Sequence, residues 1–134
     1  MFNFFKKRKP VIPPFDKLQA SPIKDCYFYR VAQWHRLSDG NILAIDPNAP
    51  RIVTFDPWPQ LIFLEADGKR TVTEFVAYLA SSYEKEVPLE LDDTVLTTID
   101  NVLKTGLIQL STIPIQLDPK ILKPSDNNII DKLK

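Results

Sequence analysis

Apolar positions crowd the stretch from Tyr27 to Phe55. The run Tyr27 to Arg36 is aromatic and β-branched, Asp39-Gly40 supplies a turn, and Ile42, Leu43, Ala44 and Ile45 follow as a second apolar run. This pattern predicts a β-hairpin. Asp46-Pro47-Asn48 turns the chain again, and Arg51 to Phe55 predicts a third strand that ends at Asp56-Pro57.

Beyond Asp56 the apolar spacing lengthens to three and four residues. Asp56 with Pro57 fits an N-cap followed by proline at the first helical position, and Trp58, Leu61, Ile62 and Leu64 predict a helix that stops by Asp67-Gly68. Thr71 or Thr73 caps a second helix whose face is Phe75, Val76, Leu79 and Tyr83, ending before Pro88. A third helix over Leu91 to Lys104 begins with Asp92 and Asp93. It carries the stripe Val95, Leu96, Ile99, Val102 and Leu103 and stops at Gly106. Leu107 to Leu110 then reads as a short strand or wing.

The expected fold is α+β and winged-helix-like: an N-terminal three-stranded antiparallel sheet, then a three-helix bundle, closed by a short terminal strand. One domain over residues 27–110 holds it. Pro10, Pro13 and Pro14 predict an extended arm over residues 1–26, and Pro114, Pro119 and Pro124 a tail over residues 111–134 that drapes over a surface.

Composition narrows the function. The chain has 134 residues and 44% hydrophobic content, which suits a single core. Its net charge of zero is uneven. Residues 1–26 hold six basic and two acidic side chains, residues 27–110 seven and twelve, and residues 111–134 four and three, so the expected domain is acidic. The charge of Lys6 to Lys9 follows a very short apolar cluster, the reverse of a signal peptide, and no stretch reaches membrane-spanning length; a cytoplasmic protein is expected. The aromatic-basic residues 2–9 suit contact with a membrane surface, nucleic acid or an acidic protein, or serve only as a solubilising end.

Catalytic chemistry finds little to work with. Cys26 is the single cysteine and His35 the single histidine, with no further Cys or His to complete a metal shell, so neither a metal nor a cofactor is expected. His35 lacks an acidic or nucleophilic partner at suitable spacing and Cys26 adjoins only Lys24 and Asp25. The chain is read as a non-enzyme.

From Arg51 to Leu110 the sequence resembles the PqqD-like family, the RiPP recognition elements or peptide chaperones that accompany peptide-modifying enzymes. The resemblance is carried by Val53-Thr54-Phe55 leading into a helix, by the block Asp67 to Phe75 (DGKRTVTEF), and by Tyr83 with the acidic-apolar helix closing at Lys104 to Ile108 (KTGLI). Trp58 and Pro59 depart from the small helix formers common in the family. The resemblance implies a groove between third strand and third helix. Carried onto this chain, the groove is Arg51, Ile52, Val53, Thr54 and Phe55 facing Thr94, Thr97, Thr98 and Asn101.

An edge strand followed by helices offers unpaired backbone groups that an extended peptide completes by strand addition. The function expected is thus an adaptor that docks a precursor or leader peptide and presents it to a modifying enzyme such as a radical SAM protein. Two alternatives stand beside it. A structural or accessory subunit would use the arm and tail to wrap a larger protein assembly. A DNA-binding winged helix would need basic residues on its third helix, which instead holds Asp92, Asp93 and Asp100 against Lys104, so no nucleic-acid partner is expected.

Overall fold

The structure, a computed structural model, describes residues 11–125. In chain order the elements are α1 (Asp16–Gln19), β1 (Tyr27–Arg30), β2 (Gln33–Arg36), β3 (Ile42–Ile45), β4 (Ile52–Thr54), α2 (Pro57–Glu65), β5 (Asp67–Thr71), α3 (Val72–Ser81), α4 (Leu91–Thr105), β6 (Ile108–Ser111) and α5 (Pro119–Leu122). The fold is α+β, with two three-stranded antiparallel sheets ordered β5-β1-β6 and β2-β3-β4.

The first expected strand is two strands. At the end of β1 the Arg30 N–H donates to Ala66 O (2.8 Å) and the Val31 N–H to Leu107 O (2.9 Å), which holds β1 between β5 and β6. Past the buried Ala32 the chain resumes as β2 beside β3. The sheet built from the first part of the chain is therefore β2-β3-β4, while β1 recruits β5 and β6 from far along the sequence. A simple order of three strands and then three helices does not describe this chain.

The second strand-forming surprise is β5, expected as a turn and cap. Gly68 sits at φ 78° with Asp67 Oδ1 accepting from the Lys69 N–H (3.0 Å), and the pairing with β1 shifts register between Tyr27↔Thr71 and Tyr29↔Asp67. A glycine bulge admits the polar DGKRT segment to a sheet edge. Of the two threonines offered as caps, Thr71 is the one used. Its Oγ1 accepts from the Glu74 N–H (3.1 Å) while Glu74 Oε1 accepts from the Thr71 N–H (2.9 Å), a complete capping box. Asp56 caps α2 without a side-chain bond; its carbonyl accepts from the Gln60 N–H (3.0 Å). Gly106, at φ 79°, ends α4 as expected.

One core joins both sheets to the helices. Phe28, Phe63, Phe75, Ile62, Ile99 and Leu107 are fully buried, with Phe28 edge-on to Phe75 at 5.3 Å between centroids. The packed body reaches beyond residues 27–110. Phe15 and Leu18 belong to the core cluster, and Leu117 is buried as well. Burying each such side chain contributes about 1.5–3 kcal/mol. That offsets much of the ordering cost of α1, roughly 1–2 kcal/mol per residue. The arm is further pinned where the Leu18 N–H donates to the buried Asp92 carboxylate (3.0 Å) in the first turn of α4. The arm is thus helical at residues 16–19 rather than extended throughout. Residues 2–9 lie outside the described part.

Candidate functional site

The sheet β2-β3-β4 has two outer edges, and hydrogen-bond alternation decides which backbone groups each presents. In an antiparallel pair, every second residue exchanges bonds with its partner while the residues between point their N–H and C=O outward. The Asp46 N–H donates to Arg51 O (3.0 Å), which makes Val53 the next inward-bonded residue of β4 and leaves Ile52 and Thr54 outward. On the opposite side the Leu37 N–H donates to Asn41 O (2.8 Å), so in β2 the residues facing outward are Trp34 and Arg36.

The β2 edge is occupied by the chain's own tail. The Ser125 N–H donates to Trp34 O (2.6 Å), His35 Nδ1 bonds Ser125 O (2.9 Å), and the Trp34 Nε1–H donates to Ile121 O (2.8 Å). Arg30, only 4% exposed, completes the attachment. Its Nε donates to Ile121 O (3.1 Å) and its Nη2 to Leu122 O (2.9 Å), while Nη1 donates to Leu64 O (2.9 Å) and more weakly to Ala66 O (3.5 Å). A guanidinium is an apt group here because its forked donors satisfy carbonyls left open at the ends of both α2 and α5. Burial pulls Arg30 below its ordinary pKa, opposed by the nearby charges of Asp67 and Glu65. Its guanidinium also lies over the Trp34 ring at 5.3 Å.

The β4 edge stands open. Among the described residues no strand pairs with its outer side. Ile52 is 44% exposed, Thr54 is exposed, and Val53 turns inward against the core. Phe55, just beyond the strand, stacks on Phe63 at 5.2 Å. Arg51 is exposed and its Nε donates to Asp46 Oδ2 (2.6 Å), closing the β3–β4 turn. The Asn48 N–H bond, then the Arg51 bond, hold the Asp46 carboxyl below its ordinary pKa.

On α4 the four polar residues separate. Thr97 and Asn101 are exposed and Thr94 is half-buried, but Thr98 is 8% exposed and its Oγ1 donates to Thr94 O (2.7 Å) within the helix. Thr98 is a core-side residue whose hydroxyl is spent locally. The outer face of α4 also carries the Asp100–Lys104 pair (3.0 Å), and Asp93 pairs with Lys17 of α1 (3.2 Å).

The sequence reading missed the Arg30–Trp34 attachment. The signal was present: Phe28 and Arg30 share one face of a strand, so a charge stood at a core-facing position. Cys26 is half-buried, and among the described residues no group of three or more His, Cys, Asp or Glu side chains could hold a metal ion. Nor is any described helix long and apolar enough to cross a membrane. No protein-family model, curated protein or solved structure matches the chain.

Proposed function

We propose that this protein is a non-catalytic peptide-binding adaptor that docks the leader segment of a precursor peptide by strand addition at β4. In this reading it is a winged-helix-like, PqqD-like module that presents the bound peptide to a modifying enzyme such as a radical SAM protein. The observation that carries it is the β4 edge, where Ile52 and Thr54 present backbone donors and acceptors outward with no strand beside them among the described residues, while the opposite edge of the same sheet carries the tail at Trp34. Backbone pairing supplies affinity without demanding a particular sequence. Side chains at alternate positions, meeting Ile52 and Thr54 on one side and Thr97 and Asn101 of α4 on the other, supply selectivity.

The accessory-subunit reading depended on an arm and tail free to wrap another protein. Within the described residues Phe15, Leu18 and Leu117 are buried against this chain itself, which favours the adaptor reading. The acidic face of α4 gives duplex DNA no phosphate-binding surface.

The test is an NMR titration with the leader segment of a precursor peptide encoded beside this chain's gene. The amides of Ile52 and Thr54 should shift and gain exchange protection, with Val53 changing little. Thr54→Pro removes an outward N–H that the fold does not use, so it should cost the fold under about 1 kcal/mol while weakening the peptide roughly tenfold, the value of one lost backbone bond. Unmoved Ile52 and Thr54 amides at saturating peptide would reject strand addition.

A further inference from the structure

We propose that the Arg30–Trp34 clasp and the outer edge of β2 form a second peptide-binding site, specific for this chain's own tail sequence, and that the tail of a second copy can take the place of the resident one. The site holds its occupant by backbone atoms, and the side chains of Ile121 and the buried Leu117 supply its selectivity. Arg30, Trp34 and His35 meet the carbonyls of Ile121, Leu122 and Ser125, and the Ser125 N–H completes the strand-like bond to Trp34 O. Ile121 adds one anchor: it is half-buried and, with Val31, Gln33, Ile45 and Pro47, borders a cleft of about 250 Å³. Nothing in this list depends on the tail belonging to the same molecule.

Two features make exchange the natural mode of opening. The connection from Thr112 to Gln116 is mostly exposed and contains Pro114; the Ile115 N–H donates to Gly68 O (3.0 Å), Ile115 packs against Gly68, and Ile113 bonds the Ser111 hydroxyl. The site, by contrast, resists being empty. Without the tail, Arg30 keeps the Leu64 and Ala66 carbonyls, its Nε and Nη2 turn to water, and the contacts made by Ile121, Leu122 and Ser125 are lost, so the empty site is the less stable one. A departing tail is therefore replaced rather than simply lost. The replacement that fits is an identical tail, because exchange of an identical element recreates every contact in the partner.

Because the resident and incoming tails make the same contacts, intrinsic affinity cancels from their competition. The ratio of exchanged to resident states equals the concentration of free tail divided by the effective concentration of the tethered one, which is on the order of 1 mM for a short flexible connection. At micromolar concentration the chain holds its own tail. Exchange between copies takes over at millimolar concentration or when the connection is made too short to reach.

The experiment uses the full chain, labelled with ¹⁵N, and an unlabelled synthetic peptide of the Leu117–Ser125 sequence taken to about 10 mM. The amides of Ile121, Leu122 and Ser125 should move to the positions of unstructured chain, with half displaced at roughly 1 mM. The Trp34 indole N–H should stay where it is, because its new partner is chemically the same. Stationary tail amides at the highest concentration overturn the proposal, as does a Trp34 signal that moves with them or equal displacement by a scrambled peptide. As a second arm, deleting Thr112 and Ile113 shortens the connection by about 7 Å. A dimer in sedimentation at tens of micromolar is expected, and a folded monomer with unchanged tail amides overturns the proposal.

Discussion

The two edges of the sheet β2-β3-β4 solve the same problem in opposite ways. At β2 the outward carbonyl of Trp34 is paired by Ser125, and a buried arginine fastens the segment that supplies the pair. At β4 the outward groups of Ile52 and Thr54 have no strand beside them among the described residues, and the side chain of Ile52 is exposed with them. An unprotected edge invites pairing with another chain, so proteins usually cover it, charge it or bend it away. Among the described residues this chain lays its tail against one edge and no strand against the other.

The comparison is broken most severely at Arg30. Arg30→Met keeps the length of the side chain but removes donors to four carbonyls, so unfolding in urea should show a loss of about 3 kcal/mol, the scale of losing hydrogen bonds from a charged donor and leaving carbonyls unpaired. Amides of the tail should exchange with solvent much faster than those of β4's partner β3. If instead all amides accelerate together, the tail is not a separate unit of opening.

Gly68→Ala comes next. The glycine lies at φ 78°, and an added Cβ would stand 2.5 Å from Ile115 O. A cost of roughly 1–3 kcal/mol is expected, combining left-handed strain with displacement of the connection to the tail. Proteolysis between residues 112 and 118 should become faster. Trp34→Phe is milder: it loses the indole bond to Ile121 O, and about 1 kcal/mol of stability should go with it. Neither variant should alter peptide binding at β4, and a clear change there would show that the two edges communicate.

The smallest effect lies at the β3–β4 turn. Because hydrogen bonds from the Asn48 N–H and then Arg51 lower the Asp46 pKa in the folded state, Asp46 contributes stability that is present above its unfolded pKa. This contribution fades as pH falls through the lowered folded value. Asp46→Asn should therefore flatten part of the acid limb of an unfolding-midpoint profile. An unchanged profile would mean that the turn is held by other means.

Much of the local structure was legible because its causes are local. The turn at Asp39-Gly40, the capping box from Thr71 to Glu74, the stripe of α4 and its stop at Gly106 all follow from residues within a few positions of one another. Three features escaped. The break after Arg30 is made by Ala66 and Leu107, far along the chain, and no period within Tyr27 to Arg36 announces it. The strand β5 is polar and short, and it exists because β1 offers it a partner. The burial of Thr98 separates it from Thr97 and Asn101: three residues after Val95 and four before Val102, it lies on the buried face despite its hydroxyl.

By itself the sequence determined which segments would become strands or helices over most of residues 27–110, that an edge-strand candidate would run through Ile52 to Thr54, and that α4 would present acidic rather than basic charge. Only the tertiary structure decided that β1 and β2 serve different sheets, that the arm joins the core, and that among the described residues the tail lies against one sheet edge and no strand against the other. The physical reason is one of range. Periodicity, turns and caps are settled by neighbours in the chain, whereas the satisfaction of a buried cation or an exposed strand edge depends on groups as far apart as Arg30 and Leu122.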